Sequence, residues 1–322
     1  MAGLRGNQAY LVAAKQASKG TPVTKWQDTY FFTSNSSISP TKTIGQLSET
    51  DSNRQAGNNY VQQTAVEGSP QVYVRDPSAH HFLEYVLGGV ANSGSAGEYK
   101  HILTPAATIP YVTFGRGLGA TLYEQFNDCM VSDLTIQAGT ASPLTAQATI
   151  MGLSAKRQTE EWKTESAPPA ASTAAPYNFN EALVKIGGTE TRLVSSFNMT
   201  ISNNVTLQQT DDSIPYDLVP GTFQVTMGFD MIFEDLKEYN KFHYGGEAGT
   251  EQKNEIFTTT ALFEFKKEAK KYVKFEFPQL AYQTFPVDPD PGGSPIVVSV
   301  TAAAQRGASP FVTAEVMNAI EK

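Results

Sequence analysis

Residues suited to acid–base or metal chemistry are few and scattered: four histidines and one cysteine in 322 residues. His80 and His81 are adjacent. Neighbours on a helix point about 100° apart and do not share one ion, so a solvent-facing pair is expected. His101 and His243 have no carboxylate at ligand spacing. Asp288-Pro289-Asp290-Pro291-Gly292-Gly293 opens like a calcium loop but lacks the later ligands and the closing glutamate. Its Pro and Gly predict a tight hairpin turn. Gly115-Arg116-Gly117-Leu118-Gly119 has neither the dinucleotide spacing nor a following helix, and reads as a flexible turn or bulge. Cys129 can form no intrachain disulfide and reads as a small buried residue. Asn35, Asn198 and Asn204 begin glycosylation triplets, which matter only in an exported chain. No Ser-His-Asp set or carboxylate pair stands out. The expectation is a protein that is not an enzyme, with no catalytic, cofactor or metal residues.

Composition narrows the class further. Hydrophobic residues make up 40% and charged residues 17%, which excludes wholesale disorder and allows about two domains with sizeable cores. Lys and Arg total 24 against 32 Asp and Glu, a net charge of -8. Gripping nucleic acid needs the opposite balance. The one basic cluster, Lys266, Lys267, Lys270, Lys271 and Lys274, reads as a solvated hairpin tip, with nucleic acid or an acidic loop of another copy as alternatives. There is no secretory-type apolar run at the start, and no stretch near the roughly 20 apolar residues of a membrane helix. A soluble chain made in a cytoplasm and without a membrane partner is expected.

The elements that would position any site are mostly strands. Alternation marks Gln71–Val74, Thr145–Met151, Phe197–Ile201, Phe223–Phe229 and Ile296–Val300. The clearest hairpin is Ala261–Phe277, turning over Lys267–Lys270. Short helices are predicted at Ser78–Leu87, before Gly88-Gly89, at Phe233–Tyr244, before Gly245-Gly246, and at Thr313–Ile320. Residues 1–29 read as an arm and 157–179 as a Pro/Ala-rich linker.

Four weak matches recur in order: Gly68–Val72 with Gly221–Val225, Glu84-Tyr85 with Glu238-Tyr239, Tyr111–Phe114 with Tyr272–Phe275, and Ser142–Leu144 with Ser294–Ile296. Colinearity at nearly constant offset predicts a tandem duplication. The expected domains are 30–156 and 180–306, with 307–322 as a tail. Each half carries a long polar excursion, Pro40–Glu67 and Asn203–Pro220, at the same place before a strand. Long loops in compact domains are commonly functional.

These features resemble the major tail tube proteins of long, non-contractile-tailed bacteriophages. The resemblance rests on Arg5-Gly6-Asn7-Gln8-Ala9-Tyr10-Leu11 with Gly20-Thr21, on Leu193–Asn204, and on Gly221–Asp230 followed by a helix. It implies a mainly β fold: two tandem β-sandwich or barrel-like domains, each flanked by one short α-helix. It implies stacked rings forming a hollow tube for genome delivery, located in the virion tail after assembly in the host cytoplasm. Expected partners are further copies of the chain, as trimeric pseudo-hexameric or hexameric rings, together with a tape measure protein and terminator and distal tail proteins. Double-stranded DNA would pass without specific binding. Glu49, Asp51, Arg54, Asp211 and Asp212, on the two excursions, are the expected inter-ring contacts. Competing readings are a baseplate hub or tail terminator, a bacterial surface adhesin, and a glycan-binding β-sandwich.

Overall fold

The computed structural model describes residues 5–23, 25–35, 37–48, 57–95, 97–119, 121–159, 167–289, 291–307 and 310–320. The first half runs β1 (Ala9–Lys15), β2 (Asp28–Tyr30), β3 (Ile38–Gln46), β4 (Asn59–Gly68), β5 (Gln71–Tyr73), α1 (Ala79–Leu87), β6 (Gly88–Ser95), β7 (Glu98–Pro105), β8 (Val112–Leu118), β9 (Leu122–Gly139) and β10 (Thr145–Gln158). The second runs β11 (Ala182–Ile186), β12 (Thr189–Thr191), β13 (Ser196–Ser202), β14 (Thr206–Gln208), β15 (Asp217–Val219), β16 (Gln224–Ile232), α2 (Lys237–Tyr244), β17 (Thr258–Glu268), β18 (Lys271–Thr284), β19 (Val297–Ala304) and β20 (Thr313–Asn318). Eighteen of these strands join one hydrogen-bonded network, and β14–β15 form a separate ladder. The fold is mainly β, as the alternating patterns require.

The predicted hairpin is β17–β18: Phe263 faces Phe275 and Phe265 faces Val273. These rings, together with Phe197 of β13, are fully buried, with Phe197 and Phe263 centroids 4.5 Å apart. Both helices stop at a glycine in a positive-φ conformation, Gly88 (φ 83°) and Gly245 (φ 77°), which a side chain would strain.

The ladders of the two halves share one register. Phe32 bridges Val72 and Val194 bridges Met231. The next residues repeat the contact: Thr33 N–H donates to Gln71 O at 2.9 Å and Ser195 N–H to Asp230 O at 2.8 Å. β8–β9 has an irregularity between Val112 and Phe114, and β17–β18 one between Thr259 and Ala261. In the one, Phe114 then faces Phe126, and in the other Ala261 faces Phe277. Ala13 pairs with Phe114 as Ile186 pairs with Ala261. A short 3-10 turn precedes each opening strand, at Gly6–Gln8 and Phe179–Glu181.

This register displaces three of the four sequence matches. Gln71 corresponds to Asp230 rather than Gln224, and Phe114 to Ala261 rather than Phe275. The two helices align at Gly88 and Gly245, which shifts the Glu-Tyr pair by about one turn. Only Ser142–Leu144 and Ser294–Ile296 stand at equivalent places, each directly before β10 or β19.

Other expectations are also corrected. Residues 1–29 do not form an arm: β1 pairs with β2 and β8, and Leu11–Ala14 are buried. The C-terminal segment is no helix and no loose tail: β20 pairs with β18 of the second half and β7 of the first. The linker is anchored at both ends. Arg157 and Gln158 finish β10, and Tyr177, fully buried, donates its N–H to Val74 O at 3.1 Å and accepts from Leu144 N–H at 2.7 Å. Gly115–Leu118 lie inside β8 rather than in a turn, and a Cβ on Gly117 would stand 2.4 Å from the Tyr10 ring. That packing explains the glycine and leaves no phosphate cradle.

His80 and His81 are buried, not solvent-facing. The sheet covers one side of α1, and β7 with β20 covers the other. The His80 ring stacks on His101 of β7 at 4.0 Å, and Asn318 of β20 donates Nδ2 to His80 Nδ1 at 3.0 Å. His81 contacts the Asp28 carboxylate, which also accepts from Tyr30 OH at 2.8 Å.

Cys129 is buried, as expected. Burial, and then the neighbouring Asp128 carboxylate, push its thiol far up. A thiol reagent should therefore label it only as fast as the chain unfolds. Labelling at the rate of a free thiol in native buffer would contradict that packing.

Candidate assembly surfaces

The two polar excursions become two hairpins. β3 and β4 pair from Ile38–Gly68 out to Gln46–Asn59, and Leu47 N–H continues the ladder to Asn58 O at 3.0 Å. The outer half of this hairpin projects beyond the core. Ile44, Leu47, Tyr60 and Val61 are 46–60% exposed there. Glu49, Asp51 and Arg54 lie outside the described residues.

The second excursion is the β14–β15 hairpin. Its base covers β9 and β10 through Val205 and Leu218, which pack with Met130 and Leu153. Its tip is held against the first half: Thr64 N–H of β4 donates to Ser213 O at 2.8 Å. Lys19 donates to Tyr216 O at 2.5 Å and pairs with Asp217 at 3.2 Å. Burial acts to raise the Asp217 carboxyl, but hydrogen bonds from Tyr111, Leu218 N–H and Lys19 outweigh it and hold the pKa low. Asp211 and Asp212 are exposed at this tip, and Asp212 accepts from Ile214 N–H at 3.2 Å. Beside them Ile214 and Tyr216 are 46% and 63% exposed.

The structure therefore brings both excursions to one region and gives each exposed apolar side chains next to the charges. Sequence reasoning missed the apolar ones because it read both excursions as polar loops and weighed only their charges. The usable signal was their position on strands that outrun the core.

The lysine cluster is not a free cationic patch. Lys274 pairs with Glu276 at 3.1 Å and Glu315 at 3.2 Å, and Lys271 with Glu268 at 3.2 Å. Lys270 pairs with Glu98, and Lys267 lies over the Tyr177 ring at 4.9 Å. Neutralised in this way, the hairpin tip offers little to phosphates. Among the described residues no group of three or more His, Cys, Asp or Glu is placed to hold a metal, and no helix is long and apolar enough to cross a membrane.

The described residues thus form a mainly β chain with two projecting hairpins. The family described as "Phage tail tube protein" matches residues 6–311, nearly the whole chain. The chain belongs to that family and is a structural component of the phage virion tail. No curated protein matches it.

Proposed function

We propose that the protein self-assembles into stacked rings that form the tail tube and carry the genome from capsid to host cell. Each chain supplies two tandem tail-tube domains, the first beginning at the 3-10 turn of Gly6–Gln8 and the second at that of Phe179–Glu181. Three chains then make one pseudo-hexameric ring. The shared ladder register supports the duplication. The observation that carries assembly is the pair of hairpins exposing Ile44, Leu47, Tyr60, Val61, Ile214 and Tyr216 beyond the core. Exposed apolar side chains gathered in one region mark an interaction surface.

In this reading the hairpins make the inter-ring contacts, with Glu49, Asp51, Arg54, Asp211 and Asp212 setting charge complementarity around an apolar centre. A tape measure protein sets tube length, and terminator and distal tail proteins close the ends. The net charge of -8 suits a conduit, because an anionic wall repels DNA while Lys and Arg would retain it. No chemistry is needed.

Replacing residues 47–58 with a short Gly-Ser turn tests the hairpin role. The variant should fold, with an unchanged circular dichroism spectrum, and should form no tubes by electron microscopy. Tubes of normal length would contradict the assignment.

A further inference from the structure

The matched registers show one joint made inside the chain and its counterpart left open. β13 is bonded on both sides, by β16 and by β9, with Ser202 facing Asp133 and Ser196 facing Gly139. Its counterpart β3 is bonded by β4 alone among the described residues. On the other side of the joint, β9 continues past Ser132 to receive β13. Ile150 faces Val131 as Ala302 faces Tyr282, so Asp133 corresponds to Thr284, where β18 stops.

The helices differ in the same sense. Every residue of α1 is buried, and none of α2 is. Leu236 and Ile256, beside α2, are 55% and 79% exposed. At the internal joint, Asn203 donates Nδ2 to Val86 O near the end of α1 at 2.9 Å, and to Val131 O at 3.1 Å. The counterpart of Asn203 is Lys42, which is exposed, as are Glu247 and Glu251 past the end of α2. A cation suits both a helix C-terminus and those carboxylates.

We infer that a second copy of this chain docks head to tail across these two ends, with the open edge of β3 in one chain against the β18–α2 end of the next, repeating the internal β13–β9–α1 joint. The inference rests on the ring-forming reading and names its contact. The occupant follows from the fold itself, since each half carries the element that the other half's end accepts. Such a contact is heterologous, so every chain offers one free edge and one free end, and the series closes into a ring where the rotation per chain permits. The ladder is short. Ile38 is already covered within the chain, Pro40 has no N–H to give, and Pro286 and Pro289 interrupt the strand beyond β18. Prolines at such an edge limit indiscriminate pairing. The contact therefore centres on Pro40–Lys42 against Thr284 and Phe285, with the exposed face of α2 beside it.

The test is the double variant Thr41→Cys with Thr284→Cys, the counterparts of the facing residues Ser202 and Asp133. Directly opposed antiparallel positions bring the two sulfurs within disulfide reach, and buried Cys129 does not compete. After mild oxidation, a non-reducing gel should show a ladder of covalent oligomers ending at the closed ring, and each single variant should stay monomeric. Cross-linking by Thr41→Cys alone would reveal a like-with-like contact and overturn the inference. A second measurement uses the unmodified protein: a mixture of isotopically heavy and light chains is treated with a zero-length amine–carboxyl cross-linker. Links between Lys42 and Glu247 or Glu251 should join heavy to light. Rings or tubes in the microscope without either cross-link overturn this joint and leave the tube reading standing. A chain that assembles neither alone nor with its tape measure protein overturns both.

Discussion

A chain ending before Thr313 should lose its cooperative thermal transition and aggregate on purification. β20 is the last element and is paired on both edges, with Tyr272–Glu276 of β18 and with Tyr99–Leu103 of β7. Removing it opens two hydrogen-bonding edges at once, which invites aggregation. It also strips Ala314 and Val316, both fully buried, from the core. Glu315 goes with them, and it binds Lys100 at 2.8 Å, Lys274 at 3.2 Å and Tyr272 OH at 2.5 Å. Domains are stable by about 5–15 kcal/mol, and losses on several mechanisms together exceed that margin. The milder Val316→Ala should cost about 2 kcal/mol with the fold retained. Thermal melts followed by circular dichroism measure both. A truncated chain melting within a few degrees of the full one would show that β20 does not hold the halves together.

Stability should fall steeply as pH drops below about 6.5, the ordinary histidine pKa. Burial, and then the neighbouring His81 and His101, lower the His80 pKa to about 2, and burial lowers His101 as well. The unfolded chain binds these protons near pH 6.5 while the folded chain does not. The stabilisation is therefore complete above pH 6.5 and is lost as pH falls, at about 1.4 kcal/mol per unit for His80 down to about pH 2. The groups facing this site are His81 and Glu84 on α1, His101 on β7, Asp28 on β2, Asn318 on β20 and Asp76 before the helix. The carboxyl of Asp76, raised by burial despite Lys271 and Lys267, works the other way, favouring the fold as it gains its proton. Glu315 is held low because Lys100, Tyr272 and Lys274 outweigh its burial, and it adds to the acid loss below the usual carboxylate range. Urea titrations at pH 7.5 and pH 5 should show a loss of about 2 kcal/mol from His80, and His80→Gln should remove that share. An unchanged pH slope in His80→Gln would contradict the assignment.

The elements visible in the sequence were those whose partners lie nearby. The β17–β18 hairpin alternates because one face is buried, and both helices announce their ends with glycine pairs. β1 was missed because it is buried on both faces. Leu11–Ala14 form an unbroken apolar run, without the two-residue period of a half-exposed strand. β20 was misread because Val312, Val316, Met317 and Ile320 fall at helical spacing, while its real partners lie in two distant strands. Distant partners also hide the histidines, His101 of β7 and Asn318 of β20 against His80 and Asp28 of β2 against His81. The sequence matches behind the expected duplication mostly sit at non-equivalent positions in the ladders. What the two halves share is pairing register, which tolerates nearly complete replacement of side chains. Of the candidate contact residues, Asp211 and Asp212 stand on an exposed tip. The apolar residues beside them emerge only once the hairpins are seen to outrun the core.

By itself or with its tail partners, this chain is expected to build a tube. Concentrated purified protein, imaged by electron microscopy with averaged end-on views, tests it most directly. Hollow rings or tubes with three chains per ring and six similar lobes are expected. Six chains per ring would keep the tube and contradict the pairing of two tail-tube domains in each chain. Single rings that never stack, or a chain that stays monomeric even with its tape measure protein, would contradict the tube itself.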